Sequence, residues 1–412
     1  MSTIRVPHSE KQVALRLSVA MSLFQTSTVL VATIAGLIGY QLAPDKQLAT
    51  LPVAAMWLSA ACSVLPAAAL MRNFGRKSGF LVGTACGCIS GALAAASLIH
   101  QSFWLFALAT SLMGCYQCFA QYYRYTAADL ASESFKSRAI SWVVAGGVVA
   151  AVAGPAIARF TAQVTPVPFL ASYLVLMSLG AVAFLLILSL RLPDLPAKAA
   201  PGAGGRSLVT ILSQRDVLVA LGGTAIAYIA MTGIMTATPI AMQLCGLPVA
   251  AVSTVILWHV LGMFGPSFVT GSLIRKFGAM RMMSTGIALL AAHVAIAVSG
   301  SSFAFFASGL VLVGVGWNFL FVGSTTVLTG GYRAEERDKV QAAGNFAVFL
   351  PTTIASFFSG DLLHVVGWRT LNLVALPFIA AMALVLVLVL IRQHAAVAAQ
   401  RQPSNPRADV TS

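Results

Sequence analysis

Charged residues are scarce in this sequence: Asp, Glu, Lys and Arg make up 9% of its 412 residues, whereas hydrophobic residues make up 58%. Soluble globular proteins carry roughly 25% charged residues. Acidic residues are the rarest, with eleven in the chain. All of them lie in short polar gaps or near predicted helix ends, so the apolar runs between the gaps are nearly free of charge. This composition argues against a water-soluble fold.

Several motifs of enzyme chemistry are also absent. The sequence contains no G-x-x-x-x-G-K-[ST] loop for ATP, no H-E-x-x-H and no G-x-S-x-G. Its six cysteines lie inside or at the ends of apolar runs, which does not suit a disulfide framework. The CxxC spacing of Cys115 and Cys118 falls within such a run, where small-residue packing is the usual role. We therefore predict no enzymatic activity, no cofactor and no metal site.

Long apolar runs dominate what is present. A helix that crosses a bilayer needs about 20 mostly apolar residues. Twelve runs qualify, at 17–40, 50–71, 79–99, 103–125, 139–160, 167–190, 217–240, 249–273, 282–299, 303–327, 341–360 and 370–391. The sequence therefore predicts an all-α membrane protein with twelve transmembrane helices, a monomer with the lipid bilayer as its partner.

The basic residues are distributed unevenly between the two sides of these spans. With the N-terminus placed inside, 22 of the 25 basic residues fall on the inner side, and only Lys46, Arg159 and Arg369 fall outside. This asymmetry follows the positive-inside rule, so both termini are predicted to be cytoplasmic, in an inner or plasma membrane. The net charge of +14 thus reflects the orientation of the chain in the membrane. The sequence contains no soluble basic domain that could bind nucleic acid.

A polar segment rich in Pro, Gly and Ala, 191–216, separates six predicted helices from six others. It reads as a flexible cytoplasmic linker between an N-terminal six-helix bundle, 1–190, and a C-terminal six-helix bundle, 217–392. A polar cytoplasmic tail, 393–412, follows. The loop after the second helix and the loop after the eighth both read Arg-x-Phe-Gly, 203 residues apart. Linker and repeat together predict two pseudo-symmetric bundles.

Twelve helices, a central linker, repeated loops and inside termini resemble the major facilitator superfamily. The loop motif of that family runs Gly-x-x-x-Asp-Arg-x-Gly-Arg-Lys. Residues 68–77 carry its turn glycine and terminal basic pair, and 271–278 carry both of its glycines, whereas Arg72 and Arg275 take the aspartate position. The resemblance implies a secondary transporter that moves a small organic solute by alternating access of the two bundles.

The repeated loops are candidates for a gate. Glycine permits the sharp turn that each loop needs. Arg72 or Arg76 could pair with Asp129 or Glu133 at the end of the fourth helix and close the inner face in one state. Alternatively, the basic residues only signal topology. The candidate gating residues are Arg72, Gly75, Arg76, Asp129, Arg275 and Gly278.

Polar side chains recur at a spacing of three and four in the first, fourth, seventh and tenth helices. In lipid such side chains tend to face the bundle interior, and the resembled family lines its cavity with these four helices. The candidate substrate-binding residues are Gln25, Gln117, Gln121, Arg124, Tyr228, Trp317 and Asn318. For Gln117, Gln121 and Asn318 the alternative is interhelical hydrogen bonding. Arg124 lies near the inner interface, where it either snorkels to water or attracts an anionic substrate.

Proton coupling has one candidate residue within the predicted spans, and a peripheral carboxylate is the alternative carrier. No Asp or Glu lies at mid-membrane depth, whereas His259 lies about midway along the eighth helix and titrates near neutral pH when unperturbed. A neutral histidine bonded to a neighbouring helix is the alternative. Three functions therefore stay open: a proton-coupled transporter, an uncoupled facilitator, and a broad-specificity drug exporter.

Overall fold

The computed structural model describes residues 9–45, 48, 51–192 and 206–401. Apart from the loops, this part of the chain is helical. Its α-helices are α1 (Glu10–Leu42), α2 (Leu51–Cys62), α3 (Val64–Ile99), α4 (Phe103–Ala120), α5 (Tyr122–Asp129), α6 (Lys136–Ala145), α7 (Gly147–Thr161), α8 (Leu170–Ser189), α9 (Leu208–Leu212), α10 (Arg215–Leu244), α11 (Val249–Phe264), α12 (Ser267–Phe277), α13 (Ala279–Ser299), α14 (Phe303–Gly330), α15 (Arg337–Val374) and α16 (Leu376–Arg401). A short 3₁₀ helix, Ala334–Glu336, precedes α15.

Ten helical segments in the described part are long and apolar enough to cross a membrane. The all-α membrane fold is thereby confirmed. The other two predicted spans, 50–71 and 341–360, fall on α2 with the start of α3 and on the first part of α15. The count of twelve and the division into two six-helix bundles stay predictions. Residues 193–205 of the predicted linker and 402–412 of the predicted tail lie outside the described residues.

Five predicted single spans are in fact pairs of helices with a break between them. The breaks fall at Ser63 between α2 and α3, at Gln121 between α4 and α5, at Gly146 between α6 and α7, at Gly265 and Pro266 between α11 and α12, and at Ala375 between α15 and α16. Proline has no N–H with which to bond the preceding turn, which explains the break before α12. Hydropathy alone does not register such breaks, because the residues on both sides are equally apolar.

The two repeated loops turn in the same way. Gly75 has φ 84° and ψ 162°, and Gly278 has φ 89° and ψ 150°. Only glycine adopts this region without strain. Gly75 interrupts α3 and Gly278 separates α12 from α13, so the predicted sharp turns are both present.

Helix packing repeats between the two halves as well. Gly114 of α4 leaves no room for a side chain against the backbone of Met56 in α2, and Gly314 of α14 leaves none against the backbone of His259 in α11. Met56 and His259 are 203 residues apart, the spacing of the repeated loops. Small residues allow such close helix approach in membranes.

One end of the molecule holds the α5–α6 loop, α9 and the α14–α15 loop; we call it the linker end. Here the halves pack directly against each other. The Ser137 hydroxyl of α6 donates a hydrogen bond to the Gly271 carbonyl of α12 at 3.0 Å, and Arg138 Nε donates to Ser272 Oγ at 3.2 Å. Gly271 has no space for a side chain against the backbone of Ser137 and Arg138. The two halves are therefore in contact at the linker end.

Candidate functional site

A cluster of charged and polar side chains joins the two halves at the linker end. We call it the gate cluster; its members are Arg76, Asp129, Tyr332, Arg337, Asp338 and Gln341. The Asp129 carboxylate, at the end of α5, lies at its centre. Tyr332 OH donates to Asp129 Oδ1 at 3.0 Å, and Gln341 Nε2 donates to Oδ2 at 3.0 Å. Arg76 Nη2 and Arg337 Nε each lie 3.9 Å from Oδ2.

Arg76 reaches from the first half to the start of α15. Its Nη2 donates to Gln341 Oε1 and lies 3.4 Å from Asp338 Oδ1. The guanidinium also lies 5.1 Å from the centre of the Tyr122 ring, and the residue is 7% exposed. Ion pairs that are shielded from water interact more strongly than surface pairs. The cluster holds two cations and two anions, so its charges balance while the halves touch.

One of the predicted loop pairings is present, between Arg76 and Asp129. Arg72 and Arg275 are both exposed. Glu133 pairs instead with Lys136, at 3.4 Å. The turn at Gly75 explains why the two arginines of the first loop differ, because the chain reverses direction between them. A role of the pair in gating remains a prediction.

Sequence reasoning missed the members of the gate cluster that the second half contributes. A usable signal was present, since Asp129 and Tyr332 are 203 residues apart, as are Arg138 and Gln341. This is the spacing of the repeated loops. Residues at equivalent positions of two related halves meet near the pseudo-symmetry axis, which explains why Asp129 and Tyr332 contact each other.

Arg124 occupies the interior between the two halves. It is 1% exposed. Its Nη1 donates to the Gln121 carbonyl at 3.0 Å and also to the Gln121 side-chain oxygen. Its Nη2 donates to Tyr125 OH at 3.0 Å and to Asn345 Oδ1 of α15 at 3.4 Å. The guanidinium carbon lies 4.4 Å from the Tyr125 ring centre and 4.8 Å from that of Phe321 in α14.

The expectation that Arg124 snorkels to water is therefore wrong. One backbone carbonyl, two side-chain amide oxygens, a phenol and two ring faces surround the cation in place of water. Cation–π contacts gain strength in such a desolvated setting. In the described part of the chain no carboxylate pairs with it, and its Nε has no hydrogen-bond partner. A buried cation without a counter-anion is costly, so this position can accept an anionic or strongly electron-rich group.

Beside Arg124 lies an aromatic cluster formed by Tyr228, Phe264, Trp317 and Phe321. The Trp317 and Phe321 rings are stacked, with centroids 4.9 Å apart and an interplanar angle of 22°. Tyr228 meets both rings edge-on, at 5.6 and 5.4 Å, and Phe264 meets Trp317 at 5.8 Å. The cluster thus places a buried stack of flat aromatic rings directly beside a cation.

Besides Arg124 Nε, two buried polar atoms of the residues predicted for the substrate site lack hydrogen-bond partners. They are Gln117 Oε1 and Trp317 Nε1. Most buried polar groups in proteins are paired, so each exception calls for an explanation such as a ligand or a water. These atoms supply one acceptor and one donor.

The structure brings Gln121, Arg124, Tyr228 and Trp317 together, through the contact of Arg124 with Phe321. Gln25 lies half-buried on α1, and no hydrogen bond among the described residues joins it to this group. Asn345 was missed from the sequence, although it follows Gln341 by one helical turn on α15.

Asn318 follows the alternative of interhelical hydrogen bonding. Its Nδ2 donates to the Met263 carbonyl and to Ser267 Oγ, both at 2.6 Å, and its Oδ1 accepts from Thr270 Oγ1 at 2.7 Å. These partners flank the break between α11 and α12. The amide thus links α14 to the broken α11–α12 pair. Both its nitrogen and its oxygen already have hydrogen-bond partners within the protein.

His259 is completely buried, and its Nδ1 lies 2.8 Å from the Leu310 carbonyl of α14. This bond between neighbouring helices of the same half matches the alternative given for it. Its Nε2 has no partner, so the ring keeps one free nitrogen. A role in proton coupling stays a prediction.

The amino-acid sequence is similar to a family model and to several transporters. The family model described as Major Facilitator Superfamily matches residues 16–276 and 220–411. The riboflavin transporter RfnT of Brucella anthropi is 39% identical over 376 residues, which cover 90% of this chain and 94% of that protein. The uncharacterized MFS-type transporter YdeG of Bacillus subtilis is 27% identical over 358 residues, 83% of each chain.

Solved structures share the fold at low sequence identity. The transporter FucP in its outward conformation superposes with a TM-score of 0.75 at 15% identity, over 92% of this chain and 99% of that one. The human organic anion transporter MFSD10 gives 0.74 at 14% identity, over 92% and 100%. A bacterial homologue of ferroportin in an outward-facing state gives 0.72 at 12% identity, over 91% and 98%.

Proposed function

We propose that this chain, which belongs to the major facilitator superfamily, is a secondary transporter of riboflavin or a closely similar flat heteroaromatic solute. The observation that carries the proposal is the burial of Arg124, without a carboxylate partner, against the ring of Phe321, which is itself stacked on Trp317. The relative that is 39% identical over nearly its whole length is a riboflavin transporter, which supports the same solute.

The chemistry of a flavin suits these side chains. Its fused ring system is flat and stacks on aromatic side chains, and stacking of a base on an aromatic ring is worth roughly 1–3 kcal/mol. Its ring carbonyls are acceptors for the guanidinium of Arg124, and its polyol chain suits an amide such as that of Gln117. Riboflavin is uncharged, so Arg124 would act on it through carbonyl dipoles rather than through an ion pair.

Alternating access supplies the transport step in this proposal. The gate cluster holds the linker end closed, and we assign that end to the cytoplasm because the basic residues are concentrated there. On this assignment the structure corresponds to an outward-facing state. Opening the linker end breaks the hydrogen bonds of Asp129 to Tyr332 and Gln341, because the partners belong to different halves.

Riboflavin transport is tested with a bacterial strain that neither makes nor imports riboflavin. Expression of this chain is expected to restore growth on low riboflavin, and the purified protein is expected to quench flavin fluorescence on binding. Trp317→Leu should weaken binding by about tenfold or more, since it removes one stacking partner. Trp104→Leu is the matched control, because Trp104 is 63% exposed on the outer surface of α4.

A different result would support the broad-specificity exporter. Efflux of several unrelated lipophilic dyes, without riboflavin uptake and without sensitivity to Trp317→Leu, would contradict the proposal. Coupling is tested separately, by accumulation of riboflavin with and without a protonophore. If His259 couples protons, His259→Gln should abolish accumulation while exchange of labelled for unlabelled riboflavin persists; accumulation that survives the protonophore would contradict proton coupling.

A further inference from the structure

A cavity of about 650 Å³ lies at the linker end, outside the aromatic cluster. Its walls come from the segment before α9, the start of α10 and the loop after α14, and they include Arg206, Arg215, Gly330, Tyr332 and Arg333. Three arginines, Arg206, Arg215 and Arg333, therefore line a single cavity in a chain with few charged residues. The proposed transport function does not use this cavity.

Arg215 and the first turn of α10 give the cavity unsatisfied donors. Arg215 Nη2 is buried without a hydrogen-bond partner. Gln214, which precedes the helix and also lines the cavity, makes no side-chain cap, because its Nε2 donates to the Ile211 carbonyl at 3.2 Å instead. The first amides of a helix have no partner within the helix, and together with the helix dipole they favour an anion.

The charge balance of the cavity leaves a positive excess. Arg206 is committed to Glu336, since its Nε and Nη2 donate to the two carboxylate oxygens at 2.6 Å each. Arg215 and Arg333 have no such acidic partner among the described residues. Asp216 also lines the cavity and offsets one of these charges, but it is exposed to solvent.

Space for a ligand is available next to Gly330. A Cβ built on Gly330 meets no atom within 4 Å, and the residue does not have a positive φ. The cavity thus combines open volume, two arginines and an uncapped helix start. Arginine forks and helix N-termini both match the oxygens of a phosphate group.

We infer that this cavity binds the phosphate group of a ligand, either a soluble phosphorylated compound or an anionic phospholipid. Arg215 and the α10 amides contact the phosphate oxygens from one wall, and Arg333 contacts them from the other. The site also shares Tyr332 with the gate cluster, so a bound phosphate lies next to the residue that donates to Asp129.

Binding is measured by thermal unfolding of the full-length protein in a chloride buffer, in two arms. In lipid-free detergent, pyrophosphate is titrated as the soluble probe. In nanodiscs, phosphatidylglycerol is compared with phosphatidylcholine. We expect saturable stabilisation in at least one arm, and about tenfold weaker apparent binding in Arg215→Gln and in Arg333→Gln, since each loses a charge-assisted hydrogen bond.

Two further variants keep the result interpretable. Arg159→Gln removes an arginine at the opposite end and should leave binding unchanged. Gly330→Leu fills the cavity without removing a charge and should abolish binding even if the arginine variants fold poorly. Stabilisation by pyrophosphate would identify a soluble ligand, and stabilisation by phosphatidylglycerol alone a lipid headgroup. Equal stabilisation of wild type, Arg215→Gln and Gly330→Leu, or none in either arm, would overturn the inference.

Discussion

Replacing Asp129 by Asn should open the linker end of the molecule. Asp129 accepts hydrogen bonds from Tyr332 and Gln341 and lies 3.9 Å from nitrogens of Arg76 and Arg337. Asn keeps one acceptor for the tyrosine but presents a donor or a neutral oxygen to the other partners. The cluster would then hold two cations and one anion.

The size of the effect follows from what the substitution removes. A hydrogen bond to a charged group contributes roughly 1.5–3 kcal/mol, and an ion pair near 4 Å contributes up to about 1 kcal/mol even at the protein surface. Losing one such bond and weakening the ion pairs should cost the closed state about 2–3 kcal/mol. Since 1.4 kcal/mol corresponds to a factor of ten, the ratio of open to closed molecules should rise about 30- to 150-fold.

Opening can be read from a cysteine placed in the closed interface. Ser141 is 1% exposed, and its hydroxyl has no hydrogen-bond partner, so Ser141→Cys should disturb little. It lies one turn beyond Ser137, on the α6 face that meets Gly271. In a background without the native cysteines, the rate of maleimide labelling at this position should rise with the open population.

A matched carboxylate at the same end provides the control. Glu133 pairs only with Lys136 among the described residues, and its side chain is 90% exposed, so Glu133→Gln should leave labelling unchanged. If Asp129→Asn labels within twofold of the parent, or if both variants accelerate labelling equally, the gate cluster does not hold the linker end closed.

Three further predictions test the remaining structural assignments. Asn318→Ala should lower the stability by about 2 kcal/mol, because it removes three interhelical bonds, and should leave flavin affinity intact; weakened binding at unchanged melting temperature would return Asn318 to the solute site. Gly278→Ala should cost about 1–3 kcal/mol for its positive φ, whereas Gly330→Ala should cost little, and equal losses in thermal melts would contradict the backbone argument. Hydrogen bonds from Arg206 lower the pKa of Glu336 to about 2, so the ion pair stabilises the fold above pH about 4.5 and loses this effect as the pH falls toward 2. The melting-temperature difference between wild type and Glu336→Gln should therefore be constant from pH 5 to 8 and vanish in acid; a difference that grows in acid would refute the assignment.

Several expectations depended only on local properties and could be read from the sequence. A run of about 20 apolar residues is long enough to cross the bilayer as a helix, whatever its neighbours are. The all-helical membrane fold therefore followed from hydropathy. The recurrence of Arg-x-Phe-Gly predicted two equivalent turns, and Gly75 and Gly278 have the same backbone conformation. Both cases need no knowledge of which helix lies beside which.

The partners of each polar residue were decided by tertiary packing. Arg124 lies near a helix end in the sequence, yet Asn345 and Phe321 of the other half enclose it. Asn318 belongs to the same polar stripe as its neighbours, but its side chain makes its hydrogen bonds to residues beside the break between α11 and α12. A side chain in lipid pairs with the nearest available group, and that group is set by helix order, crossing and breaks that hydropathy does not encode. Sequence by itself therefore determined that the chain folds as an all-helical membrane protein, whereas only the tertiary structure decided which polar residues meet across the two halves.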